Sequence, residues 1–173
     1  MEENKICDDV FEQIKDINPL KLTREQELLI DKLILNKDLN TRCKKYGLCE
    51  ECKQPRIDFS WCQLCNVKHF QQNFKNWTSK NHEIDKFIQD VQLEAKNSRQ
   101  VIEWTEYDGF ENVKYLAKGE FGTAYEANCK NGFIYHWDSE NKGWKRYGSR
   151  GLVVLKSLLH SQNITVEFLK QVR

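Results

Sequence analysis

Two closely spaced cysteine pairs constrain this chain more than any other feature of its sequence. The stretch CEECKQPRIDFSWCQLC contains two C-x-x-C motifs with nine residues between them. Two residues between cysteines allow one turn to aim both sulfurs at a single point, and two such turns supply four thiolates for a tetrahedral Zn²⁺. Pro55 is placed where the connecting loop should turn. The spacing therefore predicts a small zinc ribbon whose ligands are Cys49, Cys52, Cys62 and Cys65.

Other uses of these cysteines fit the sequence less well. Redox C-x-x-C motifs are expected beside βαβ patterns, which are absent here. The polar N-terminus MEENKICDDVFEQIKD is unlike a secretory signal, so we expect an intracellular, cytoplasmic protein with reduced thiols. Four cysteines close the coordination shell, which predicts a structural metal and not a catalytic one. His69 is an alternative ligand but is expected to be a surface or core histidine, and ordinary buried thiols are predicted for Cys7, Cys43 and Cys129.

The sequence leaves the role of the zinc unit open. Such units bind nucleic acid or proteins, or only stabilise a small fold. The chain has 27 basic and 26 acidic residues, and its net charge of +1 gives no global footprint for nucleic acid. No run of about 18 apolar residues indicates a membrane span. The aromatic residues nearby could stack on bases, but basic residues are no denser here than in the whole chain, which favours internal packing of Phe59, Trp61, Phe70, Phe74 and Trp77.

Helical patterns flank the cysteine-rich stretch. Thr23 and Gln26 resemble a capping box, and apolar residues at helical spacing predict one amphipathic helix over residues 24–44. We expect it to pack on the rest of the chain, with a partner-binding helix as the alternative. A second helix is predicted to begin at Asn81, which could cap it. These patterns divide the chain into a helical segment (1–45), a zinc-ribbon segment (46–80), a linker helix (81–105) and a strand-rich segment (106–173).

A glycine-containing stretch in the last segment resembles a phosphate-binding loop. In LAKGEFGTAYEA, residues 116–127, Gly119 and Gly122 allow the backbone to approach a ligand closely. The apolar run GLVVLKSL follows and carries Lys156, which could contact a phosphate. Two glycines three residues apart also occur in ordinary hairpins, and a lysine in such a strand can simply protect a sheet edge.

These residues resemble the N-lobe of the protein kinase family. LAKGEFGTAY is similar to its glycine-rich loop and VVLK to its strand-three lysine element. WCQLCN, WTSKNHEIDKFIQ and IEWTEYDGFENVKYLAKGEFG resemble a group of tyrosine-kinase-like fungal kinases with a cysteine-rich N-terminal segment. The resemblance implies an α+β protein in which N-terminal helices, the zinc ribbon and a helix precede a partial kinase N-lobe of three antiparallel strands and the start of helix C. It implies ATP binding by Leu116, Ala117, Gly119, Phe121, Gly122, Ala124 and Lys156.

The resemblance also indicates what this chain lacks. ITVEFLKQVR, residues 164–173, resembles the start of helix C, with Gln171 in place of the lysine-pairing glutamate and Glu167 one turn earlier. The connection between Ala127 and Gly151 is enlarged, and its two tryptophans predict a packed hairpin. H-R-D and D-F-G do not occur. We expect a kinase-like chain truncated within its N-lobe that binds ATP at most, although ATP-dependent protein phosphorylation is the family activity. The alternative is a zinc-ribbon module for protein interaction with a vestigial kinase segment.

Overall fold

The chain combines α-helices with antiparallel sheet. A computed structural model describes residues 5–120 and 122–158. Phe121 and the predicted start of helix C, including Glu167 and Gln171, lie outside the described residues. The helices found within the described ranges are α1 (Asp8–Ile14), α2 (Arg24–Leu33), α3 (Lys37–Tyr46), α4 (Gln63–Asn73) and α5 (His82–Glu94). The strands are β1 (Phe110–Gly119), β2 (Gly122–Cys129), β3 (Phe133–Asp138), β4 (Gly143–Tyr147) and β5 (Gly151–Leu158).

The first three helices form a unit with its own apolar core. The predicted capping box at Thr23 and Gln26 is confirmed, because each side chain bonds to the other residue's backbone amide. The single helix predicted over residues 24–44 is wrong, since Ile34 is extended (φ −116°, ψ 95°) and ends α2. Asn36 then starts α3 by accepting hydrogen bonds from two amides of its first turn. The break allows α2 and α3 to fold back on each other around Ile14, Ile30, Ile34, Leu39 and Cys43.

The cysteine-rich segment continues directly into two packed helices. Asn81 caps α5 as predicted, with its Oδ1 accepting from the amides of Glu83 and Ile84. Trp61 is 1% exposed and its indole Nε1 donates to the Ala95 carbonyl over 3.0 Å. Trp61 and Phe70 belong to one apolar cluster, which agrees with the packing role expected for them. Phe59 differs, since 53% of its surface is exposed.

Two antiparallel sheets make up the rest of the described chain. Strands β1, β2 and β5 pair in that order, and β3 and β4 form a separate hairpin between β2 and β5 in the chain. The hairpin expected between Ala127 and Gly151 is therefore present. An extra residue in β1 between Tyr115 and Ala117 forms a bulge at Leu116.

The helices of the described ranges are short, and the longest of them, α5, has 13 residues. Among residues 5–120 and 122–158, no helix has both the length and the apolar character that crossing a membrane requires.

The Asn36 cap generates a test of the break between α2 and α3. Asn36→Ala removes the side-chain acceptor for the amides of Asp38 and Leu39, so we expect the free energy of unfolding to fall by about 1 kcal/mol. Lys37→Ala, at the next exposed position, is the control and should change it by less than about 0.5 kcal/mol. Urea unfolding measures both. Equal stabilities of the two variants would show that the cap does not hold the break.

Candidate metal centre

The first cysteine pair lies on a tight turn. The Lys53 amide donates to the Cys49 carbonyl over 2.8 Å, and the Cys49 amide donates to the Gln54 carbonyl over 2.9 Å. Lys53 has a φ of 60°, which closes the turn in the left-handed region. Pro55 follows the turn and pairs with Leu48 in a short bridge. The connecting loop was expected to turn at Pro55, but it turns at residues 59–60, between the bridged residues Asp58 and Trp61.

The second cysteine pair lies at the beginning of a helix. Cys62 is the N-cap residue of α4, and the Asn66 amide donates to the Cys62 carbonyl over 2.9 Å. Cys65 is in the first turn of the helix, where residues three apart share a face. The zinc ribbon with two equivalent turns is thus replaced by one turn and one helix start. Both arrangements satisfy a C-x-x-C spacing, because each brings residues three apart together.

The turn and the helix bring the four predicted sulfurs together. The Sγ atoms of Cys49, Cys52, Cys62 and Cys65 all lie within 4.8 Å of one another. The Cys49 and Cys65 sulfurs are 3.7 Å apart, and those of Cys52 and Cys62 are 3.4 Å apart. A tetrahedral Zn²⁺ with Zn–S bonds of about 2.3 Å requires sulfurs about 3.8 Å apart, whereas a disulfide requires about 2.05 Å. The donor set and its dimensions therefore fit a four-thiolate zinc site.

The four thiols cannot all ionise at this separation without a cation. Hydrogen bonds from the sulfurs of Cys52, Cys62 and Cys65 hold the pKa of Cys49 far below its usual value. The pKa values of Cys62 and Cys65 are raised, because each donates to Cys49 and then to Cys52, and burial adds to the effect. The pKa of Cys52 is held between these extremes, because the hydrogen bond to Cys49 raises it while those from Cys62 and Cys65 lower it to about 7. The cluster by itself thus favours thiolates at Cys49 and Cys52 that accept hydrogen bonds from Cys62 and Cys65. A divalent cation would replace those protons and stabilise the remaining thiolates.

His69 supports the cluster from the next turn of α4. It lies four residues after Cys65, and its Nε2 is 2.9 Å from Oε2 of Glu51 in the cysteine turn. Its ring stacks on Trp137 of β3 with centroids 3.7 Å apart. The histidine is therefore a buried packing residue, as expected. Its contacts with Glu51 and Trp137 were not predicted, although the i, i+4 spacing of Cys65 and His69 is that of one helix face.

The hairpin β3–β4 covers one side of the metal centre. A cavity of about 320 Å³ lies between them. Cys49, Cys62 and Cys65 line it from the cluster, and Trp137 and Asp138 form the wall that β3 contributes. Asp138 pairs with Lys145 over 3.1 Å across the hairpin. Hydrogen bonds to Asn141 and then the pairing with Lys145 keep the pKa of Asp138 well below its usual value, so this wall keeps its charge.

The residues expected to bind nucleotide lie on the three-stranded sheet. Ala117 is opposite Ala124, Gly119 is opposite Gly122, and Ala124 is opposite Lys156. Directly opposed residues share a face of a sheet, so these five residues lie on one face. Leu116 occupies the bulge and is 48% exposed. Phe121 is outside the described residues, so its place in the loop stays a prediction.

Comparison with known proteins found no relative of this chain. No protein-family model, curated protein or solved structure matches the chain. The functional assignment therefore depends on the geometry of the cysteine cluster and of the three-stranded sheet.

The cluster geometry predicts one tightly bound Zn²⁺ per chain. Cys62→Ser replaces a thiolate with a weak hydroxyl ligand. We expect zinc affinity to fall by more than about 100-fold, which exceeds the loss caused by removing a residue that only hydrogen-bonds to a ligand. Cys7→Ser, at an exposed cysteine outside the cluster, is the control and should retain full zinc content. Elemental analysis after dialysis against a competing chelator measures both. Equal zinc content in the two variants would contradict this ligand set.

Protonation of the cluster also predicts how zinc affinity depends on pH. Because the metal displaces protons from Cys62 and Cys65, whose pKa values are raised in its absence, binding should release protons and weaken as the pH falls. Titrations in buffers of different ionisation enthalpy measure that release. Affinity that stays constant between about pH 8 and pH 6 would contradict proton-coupled thiolate binding.

Proposed function

We propose that this chain is a zinc-containing, protein-kinase-like protein whose sheet β1–β2–β5 binds ATP. The observation that carries the proposal is the register of β2 and β5, which sets Lys156 directly opposite Ala124. By the resemblance of LAKGEFGTAY and VVLK to the kinase N-lobe, Ala124 belongs beside the nucleotide and Lys156 contacts its phosphates. Both roles require Ala124 and Lys156 to lie on the same face of the sheet, as directly opposed residues do.

Lys156 is well suited to an anionic ligand. Its side chain is exposed, and it forms no ion pair with any residue in the described ranges. The ammonium group is therefore available to a phosphate, for which lysine acts as a point charge. Leu152 and Val154 are on the same face, at 66% and 65% exposure. They offer an apolar surface beside the charge, which is typical of a nucleotide site.

The loop between β1 and β2 contributes a close approach of two backbones. Gly122 has a φ of 151°, and a Cβ there would lie 2.0 Å from the Ser157 carbonyl oxygen. Only glycine fits this position, and its absence of a side chain leaves the loop backbone accessible. Free amides in such a loop can bind phosphate oxygens. The same glycine also permits the tight pairing of β2 with β5, so the structural requirement and the proposed function are compatible.

The zinc centre has a structural role in this proposal. Four cysteines would hold Zn²⁺ with no open position, so the metal would supply cross-linking and no Lewis acid chemistry. The activity implied by the family is transfer of a phosphoryl group from ATP to a protein hydroxyl. The part proposed for these residues is ATP binding, because the H-R-D and D-F-G motifs do not occur in the sequence.

Nucleotide binding by variants of one face tests the proposal. Lys156→Ala should weaken ATP binding by about tenfold to a hundredfold, because it removes a charge-assisted hydrogen bond. Lys118→Ala is the matched control, since Lys118 is opposite Thr123 on the other face of the sheet, and should change the affinity by less than about twofold. Calorimetry on the zinc-loaded chain measures both. Absence of binding in the wild-type chain would instead favour the zinc unit as a protein-interaction module.

A further inference from the structure

The hairpin β3–β4 lies between two strands of the three-stranded sheet in the sequence, but it packs on the cysteine-rich segment and α4. In the chain it connects β2 to β5, which carries Lys156. Its side chains instead pack on the zinc unit, where Trp144 stacks on Phe70 with centroids 4.5 Å apart and on Trp61 at 6.1 Å. The hairpin therefore connects the two candidate sites physically.

A short series of contacts leads from the cysteine turn to the hairpin. Glu51 lies inside the turn between Cys49 and Cys52, and it bonds to His69. The ring of His69 stacks on Trp137 at 3.7 Å. Because His69 is on α4, whose N-cap is Cys62, both halves of the metal centre position the ring that Trp137 contacts. A cysteine cluster that lost its metal would lose the cross-link between the turn and α4.

The base of the hairpin is attached closely to the ends of β2 and β5. The Arg150 amide donates to the Cys129 carbonyl over 2.7 Å, and Cys129 pairs with Gly151 at the first position of β5. Arg146 donates to the Gly132 carbonyl over 3.1 Å and also pairs with Glu103. Displacement of the hairpin would therefore act on the start of β5 and not on a free linker.

We propose that metal occupancy of the cysteine cluster controls the order of the β3–β4 hairpin and, through its base, of β5. Bound metal fixes the turn and α4, which together hold His69 under Trp137. Metal loss releases the hairpin and loosens the strand that carries Lys156. The consequence for ATP affinity depends on the function proposed above, whereas the effect on strand order does not. The zinc centre would thus act as a metal-dependent switch on the nucleotide-binding sheet.

Hydrogen exchange on the full chain tests this switch without any nucleotide. Amide exchange is measured for zinc-loaded protein and after removal of zinc by a chelator. We expect exchange in residues 133–147 and in 151–156 to become at least about tenfold faster without metal. Trp137→Ala should accelerate exchange in both segments even when zinc is bound. Tyr135→Ala is the control, because Tyr135 is 46% exposed and its ring contacts are with His136 and Tyr147 of the hairpin itself.

The possible results separate this proposal from the one on which it depends. Unchanged exchange in the hairpin after metal removal, with zinc loss verified by elemental analysis, would overturn it. Faster exchange in the hairpin with unchanged exchange in β5 would overturn the transmission to the sheet. If both segments exchange faster and the zinc-loaded protein binds ATP, the ATP affinity should fall at least about fivefold on metal removal. An unchanged affinity in that case would overturn the link between the order of β5 and nucleotide binding. If zinc-loaded protein binds no ATP, the ATP-binding proposal fails, and the exchange data alone decide whether metal controls strand order.

Discussion

Convergence of four sulfurs on one point is the interaction on which the packing of α4, α5 and the β3–β4 hairpin depends. The turn that carries Cys49 and Cys52 has little apolar surface of its own, and it is fixed to α4 where the sulfurs meet. That junction sets the direction of α4, which in turn presents Phe70 and His69 to the hairpin. Small units that cannot bury enough apolar surface commonly use a metal in this way. The apolar cluster around Trp61 then extends the ordering to α5 and to Ile134 of β3.

The parts of the structure that the sequence predicted well are those set by local spacing. The two close cysteine pairs of the four-cysteine cluster, the capping box at Thr23 and the cap at Asn81 each involve residues within a few positions of one another. The break after α2 was missed because the apolar stripe continues past it, although Asn36 is a strong start signal for a helix. The second C-x-x-C was assigned to a turn because spacing alone does not distinguish a turn from a helix start.

Contacts between distant segments could not be predicted from the sequence, and the reason is physical. Periodicity indicates which face of an element is apolar, but it does not indicate which other face will meet it. The tryptophans at 137 and 144 correctly indicated a packed hairpin, yet nothing in their spacing pointed to His69 and Phe70 as partners. The shared face of Ala124 and Lys156 likewise follows from strand register, and a shift by one residue would have placed them on opposite faces.

The hairpin lies far along the chain from the residues on which it packs. This separation also sets the order in which contacts form during folding. The four cysteines and α4 occupy one short stretch, so the metal centre can close while only that stretch has been synthesised. Trp137 and Trp144 come much later, and their contacts must wait for a long loop to close. During that interval His69 and Phe70 present an uncovered apolar face. A nascent chain would therefore be most exposed to aggregation after the cysteine cluster forms and before the hairpin does.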